Sequence, residues 1–154
     1  MQREGRIAKI AVIMAQEVHV AVIDDEPSVL ESFKMILKIK DYIVDTYPDG
    51  PAALKEIQKG KYDIAFVDYK LPVMDGLEVL RKIKEIDPDT EVIIVTAYAT
   101  DASHANAITL GALEYLRKPF MMEEIYELAE RALKRRRMKG VKKEGGAQPL
   151  PPIH

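Results

Sequence analysis

No cysteine occurs anywhere in this chain, which excludes disulfide frameworks, thiolate metal sites and cysteine nucleophiles together. A cysteine-free protein suits a reducing cytoplasm, and that is the expected location. Histidine is scarce as well: His19, His104 and His154 are scattered without ligand-like spacing, so a histidine metal site is not expected. Tryptophan is absent. No apolar run approaches the roughly 20 residues of a membrane-spanning helix. The stretch "MQREGRIAKIAVIM" at residues 1–14 is broken by Lys9 and fits a signal peptide poorly.

What the chain does have is enough apolar content, 47% of 154 residues, for one domain with a sizeable core and appended ends. The net charge of −2 conceals an asymmetry. Ala15 to Glu130 holds 12 basic against 23 acidic residues, whereas Arg131 to Glu144 holds eight basic residues and one acid. Residues 1–14 read as an N-terminal extension, because Met14-Ala15-Gln16 is an equally good start ahead of "VHVAVI". Residues 138–154 read as a tail, basic at first and then rich in Gly and Pro ("KKEGGAQPLPPIH"), with little to bury and expected to be disordered.

Between these ends the pattern alternates. Short apolar runs at 19–23, 43–47, 64–67, 92–95 and 113–116 suit strands by length and β-branched content. The first, third and fourth are apolar almost throughout, as parallel strands covered on both faces are. Helical spacing fills the gaps: Val29, Leu30, Phe33, Ile36 and Leu37 share one face, as do Leu77, Leu80 and Ile83, and as do Ile125, Leu128, Ala129, Ala132 and Leu133. Pro27 stands where a helix begins, and Gly111 follows the Ala-rich segment 102–110 as a C-terminal cap. Five strands alternating with five helices predict an α/β fold: a parallel sheet, right-handed crossovers, and helices on both faces. In such doubly wound sheets ligands bind beyond the carboxyl ends of the strands.

The residues at those ends are unusual. Asp24, Asp25 and Glu26 follow the first strand, Asp68 the third, Thr96 the fourth, and Lys118-Pro119 the fifth. Carboxylates gathered at one point repel and raise one another's pKa unless a cation neutralises them. With oxygen donors only, Mg2+ is the natural candidate and Mn2+ a substitute. A hydroxyl and an ammonium beside such an ion are suited to holding phosphoryl oxygens, and a carboxylate there can act as nucleophile.

Taken in order, "VIDDEP", "VDYKLPVMDG", "VTAYA" and "GALEYLRKPF" resemble the response-regulator receiver domain of two-component signalling, across about residues 17–136. The resemblance implies a five-stranded flavodoxin-like sheet of order 2-1-3-4-5 within a receiver domain at residues 15–137. It implies that Asp68 accepts a phosphoryl group from a histidine kinase or phosphotransfer protein. Asp25 and Asp68 would bind Mg2+ directly, with the backbone carbonyl of Lys70, and Asp24 through a water. Lys118 would pair with Asp68, its bond to Pro119 being cis. Thr96 and Tyr115 would form the switch, and Lys70 and Tyr98, two residues beyond the aspartate and the threonine, would modulate how long the phosphoryl group survives. The face of helix four, strand five and helix five would signal to a downstream protein, the chain being a monomer or a phosphorylation-dependent dimer. It would be a signalling phosphoacceptor and not an enzyme, assisting only its own phosphorylation and dephosphorylation.

Each residue alone has a plainer reading. Asp24 to Glu26 could be an acidic helix cap, Asp68 a turn residue, Thr96 and Lys118 ordinary surface residues, and Tyr115 a half-buried strand aromatic. Their coincidence at matching strand ends favours the functional set. Three rivals remain open. A haloacid-dehalogenase-like phosphatase also uses Mg2+ and an aspartyl phosphate, but with a "DxD" pair and a lid. A receiver-like module that is never phosphorylated would have no reason to keep repelling carboxylates. The chain could also be the N-terminal input fragment of a longer transcriptional regulator. The basic segment "RALKRRRMKGVKK" lacks interleaved aromatics and a recognition motif, so a solvated helix end is expected there and not a nucleic-acid interface.

Overall fold

The computed structural model describes residues 17–147, with side chains as far as Lys139. The expected N-terminal extension and the last seven residues of the expected tail lie outside the described residues. Five strands, β1 (His19–Ile23), β2 (Ile43–Tyr47), β3 (Ile64–Asp68), β4 (Glu91–Thr96) and β5 (Glu114–Arg117), alternate with five helices. The helices are α1 (Pro27–Lys38), α2 (Gly50–Leu54), α3 (Gly76–Ile86), α4 (Asp101–Thr109) and α5 (Met122–Ala147). The strands form one parallel sheet in the order β2-β1-β3-β4-β5. This is the doubly wound arrangement that the alternation predicts.

The central strands are buried on both faces, and their side chains divide with a period of two. Val20, Val22, Ile64, Phe66, Ile93 and Val95 point to one side, where Phe33 and Leu37 of α1 and Ile125, Leu128, Ala129 and Ala132 of α5 cover them. Phe33 stacks between Phe66 and Phe120, with ring centroids 4.9 and 4.8 Å away. Ala21, Ile23, Ala65, Val67, Val92 and Ile94 point to the other side, against Ala53 of α2, Val79, Leu80 and Ile83 of α3 and Ala107 of α4. A parallel register puts all five strand ends of one polarity on one edge, with Ile23 beside Val67, Asp68 beside Val95 and Thr96 beside Arg117.

Local chemistry fixes the helix starts. Asp49 caps α2 and Asp75 caps α3 through their carboxylates, and Thr100 and Ser103 form a reciprocal capping box at α4. Gly111, at φ 105°, ends α4 in the left-handed region, as expected. Gly76 does more than turn the chain. A Cβ there would lie 2.2 Å from the backbone oxygen of Asp68, so only glycine lets α3 start against the end of β3.

One expectation needs correction. The helix α5 runs to Ala147, four residues past the basic run 131–143, and that run, expected as a solvated helix end, is not merely solvated. It lies against the amino-terminal edge of the sheet: Arg136 Nε is 2.8 Å from Asp63 Oδ1, and Arg136 Nη1 donates to the Asp89 carbonyl. Lys139 Nζ donates to Glu91 Oε1 at 2.6 Å, with Arg135 3.6 Å from the other oxygen of that fully buried carboxylate. Burying Glu91 at the start of β4 demands cations, and α5 supplies them. No helix among the described residues is long and apolar enough to cross a membrane.

Candidate functional site

The carboxyl edge of the sheet collects the residues that end its strands. Asp24 follows β1 and is almost wholly buried; its Oδ1 accepts the Glu26 N–H and its Oδ2 accepts from Lys118 Nζ at 2.9 Å. Glu26 stands at the N-cap of α1 yet makes no side-chain cap bond; the carboxylate that meets the backbone there is that of Asp24. Asp25 is exposed beside it. Asp68, the last residue of β3, is 6% exposed. One oxygen from each of Asp24, Asp25 and Asp68 lies within 4.8 Å of the other two.

Lys118 is the cation that answers this cluster. Its Nζ is 2.9 Å from Asp24, 3.5 Å from Asp68 and 3.8 Å from Glu26. The cis Lys118–Pro119 bond, anticipated above, follows directly. Thr96, the last residue of β4, is buried; its Oγ1 accepts the Tyr98 N–H at 3.0 Å and its carbonyl accepts the Lys118 N–H. Asp25, Glu26, Asp68, Thr96 and Lys118 line an open cleft of about 190 Å³ whose mouth is shared by Lys70 and Tyr98. The Lys70 ammonium sits over the Tyr98 ring, 4.6 Å from its centroid, as a cation–π pair.

The electrostatics follow from that count of charges. Burial first, then the neighbouring Asp24 carboxylate, push the Asp68 carboxyl up to about 6, with Asp25 adding to the rise and Lys118 opposing it. Burial pulls Lys118 down, but its hydrogen bond to Asp24 and the charges of Asp24, Asp68 and Glu26 outweigh it and hold the ammonium above its ordinary value. Two ammonium groups, Lys118 within the cluster and Lys70 at the mouth, against the carboxylates of Asp24, Asp25, Glu26 and Asp68 leave a negative excess. An all-oxygen donor set with surplus negative charge fits a hard divalent cation and no softer metal.

The structure therefore brings Asp24, Asp25, Asp68, Thr96 and Lys118 together, with Lys70 and Tyr98 at the mouth. Tyr115 stands outside the cleft. Its hydroxyl donates to Ser103 Oγ at 3.0 Å, so the half-buried ring is latched to the capping box of α4, with the His104 ring 5.4 Å away. The sequence reading overlooked Glu26 as a fourth acid near Lys118, Ser103 as the partner of Tyr115, and the buried Glu91 anchor. Only Ser103 left a local signal, the "TDAS" spacing of a capping box.

The family model for the response regulator receiver domain matches residues 20–130. The transcriptional regulatory protein DltR of Streptococcus agalactiae is 36% identical over 104 residues, covering 68% of this chain and 46% of that protein. The chain spans about half the length of the curated relatives it matches. Among solved structures, a CheY-like response regulator receiver domain protein from Methanospirillum hungatei superposes with TM-score 0.76 at 27% identity, covering 80% of this chain and 99% of that one. The CheX–CheY–BeF3–Mg2+ complex from Borrelia burgdorferi gives TM-score 0.68 at 25% identity, covering 71% and 84%.

Proposed function

This chain belongs to the response regulator receiver family of two-component signalling, and from that premise we propose that Asp68 is its phosphoacceptor, taking a phosphoryl group from the phosphohistidine of a histidine kinase or phosphotransfer protein. The observation that carries the reading is the meeting of Asp24, Asp25, Asp68, Thr96 and Lys118, drawn from four strand ends, at one small cleft. An Asp68 oxygen attacks phosphorus as the P–N bond to the donor imidazole breaks, and the nitrogen leaves with the bonding pair and takes up a proton.

Mg2+, or Mn2+ in its place, neutralises charge on the phosphoryl oxygens when bound; Asp25, Asp68 and the Lys70 carbonyl would hold it, Asp24 acting through a water. Lys118, already within reach of Asp68, holds a phosphoryl oxygen. The Thr96 hydroxyl turns toward another, giving up its bond from Tyr98 N–H. Tyr115 is latched through Ser103 to the start of α4, so a shift of the loop after β4 changes the α4–β5–α5 face. That two-state element signals to a downstream protein effector, with the chain acting in the cytoplasm as monomer or phosphorylation-dependent dimer. The chain catalyses nothing beyond its own phosphorylation and dephosphorylation. Lys70 and Tyr98 bridge the mouth of the cleft and restrict attacking water, so the phosphoryl group decays slowly.

The phosphatase alternative is not favoured: Asp24 and Asp25 are adjacent, and Asp68 ends a different strand. The test is direct. Incubation with acetyl phosphate and Mg2+, followed by intact-mass measurement, should add one phosphoryl group to the wild type and none to Asp68→Asn; turnover of the donor with no adduct would point to a phosphatase.

A further inference from the structure

One residue beside the site is held in a conformation its side chain opposes. Val73, in the loop between β3 and α3, has φ 70°, and the Met74 N–H donates to the Pro72 carbonyl across it at 2.7 Å. This is the positive-φ γ-turn, a rare and strained form, and a β-branched residue is among the worst occupants of that region. Asn or Gly would adopt it with little cost. Strain of this kind persists where packing repays it, yet the Val73 side chain is 90% exposed and touches no core. Neither the local backbone nor burial accounts for a valine here.

Its position does. Val73 sits on the loop leaving β3, Tyr98 on the loop leaving β4 and Met121 on the segment leaving β5, three adjacent strands of the sheet. All three are exposed large apolar side chains, Tyr98 at 69% and Met121 at 64%. They stand at the edge that holds the acidic cleft. That cleft, about 190 Å³, is smaller than the roughly 300–1,000 Å³ pockets that enclose a drug-sized ligand. A protein donor can insert little beyond one phosphorylated side chain, and the surface around that side chain must rest on the rim.

We propose that Val73 is a specificity contact for the protein that delivers the phosphoryl group, its exposed methyls meeting an apolar patch beside the donor's phosphohistidine. The inference rests on the reading of Asp68 as phosphoacceptor. Truncation of one apolar anchor in such an interface costs about tenfold in rate or affinity, whereas a small donor that needs no docking is indifferent to it.

The experiment compares wild type, Val73→Asn and Val73→Leu. Labelling by acetyl phosphate with Mg2+ should agree within about twofold for all three. Autophosphorylated histidine-kinase domains from the source genome, assayed one at a time, should identify a fastest donor; its transfer should fall about tenfold or more on Val73→Asn and stay within about threefold on Val73→Leu, which keeps an apolar tip. Thermal midpoint should rise in Val73→Asn as the strain is relieved. Equal transfer to wild type and Val73→Asn from that kinase overturns the proposal, and so does a fall in the Asn variant's thermal midpoint, which would give Val73 a structural role. Failure of acetyl phosphate to label the wild type overturns instead the phosphoacceptor reading on which it rests.

Discussion

Replacing Asp68 by asparagine should make the metal-free protein more stable, not less. Asp68 is nearly buried beside the Asp24 carboxylate, and the two effects raise its carboxyl from 3.8 to about 6. An acid whose pKa is higher folded than unfolded binds more protons in the native state between those two values, so stability is lost as pH rises through that window. At pH 7.5 both states are ionised and the full cost is present. A rise of about two units corresponds to about 3 kcal/mol, Lys118's attraction being already included in the shift. Asparagine keeps the shape and carries no charge, as the protonated acid does. Thermal unfolding in EDTA at pH 7.5 should therefore show Asp68→Asn above the wild type by about 9 °C, taking roughly 3 °C per kcal/mol for a chain of this size. The gap should close toward pH 4. Adding Mg2+ should raise the wild type and leave the variant little changed. A variant no more stable than wild type in EDTA, or a gap that persists at pH 4, would refute the electrostatic account of the site.

Other outcomes follow from the same structure. Lys70→Asn and Tyr98→Ala should each speed loss of the phosphoryl group, measured by intact mass after removal of the donor; unchanged rates in both would dismiss the role of the pair that bridges the cleft. The Arg135→Met, Lys139→Met double variant removes both ion-pair partners of the buried Glu91 carboxylate, leaving only the Lys84 charge nearby, and should cost about 3 kcal/mol in urea unfolding. Glu91→Gln, which leaves only part-exposed cations behind, should cost about 1 kcal/mol. Burial raises Asp87, but hydrogen bonds from the Gly60 and Asp89 N–H groups and from Thr90, together with the Arg136 charge, outweigh it and hold the carboxyl below its ordinary value. A depressed acid stabilises above its unfolded pKa and loses that contribution as pH falls through the folded value. Asp87→Ala should thus cost about 2 kcal/mol at pH 7, with the difference from wild type shrinking below about pH 4.

Most of the fold was legible in the sequence because its determinants are local and repetitive. The near-continuous apolar runs of β1, β3 and β4 identify doubly covered strands, and the stripe Phe33–Leu37 and the spacing Ile125–Leu128–Ala132 identify the helices that cover them. The site was legible for a different reason: strand polarity alone sends Asp24, Asp68, Thr96 and Lys118 to one edge. What stayed hidden depends on pairs distant in sequence. Nothing near Glu91 announces a carboxylate with no exposure, and its partners Arg135 and Lys139 read as an undifferentiated basic run until the helix carrying them is laid along the sheet. The same holds for Gly76, whose necessity lies in the approach of the Asp68 backbone and not in any turn. The strain at Val73 is invisible in "LPVMDG", since sequence suggests a turn there but not which residue must take the positive φ.

The ion pair between Lys118 and Asp24 joins positions 94 residues apart. A nascent chain still lacking β5 would present Asp24 and Asp68 without the Lys118 ammonium that accompanies them in the fold. The cluster thus acquires its internal counter-charge only when the last strand docks beside β4.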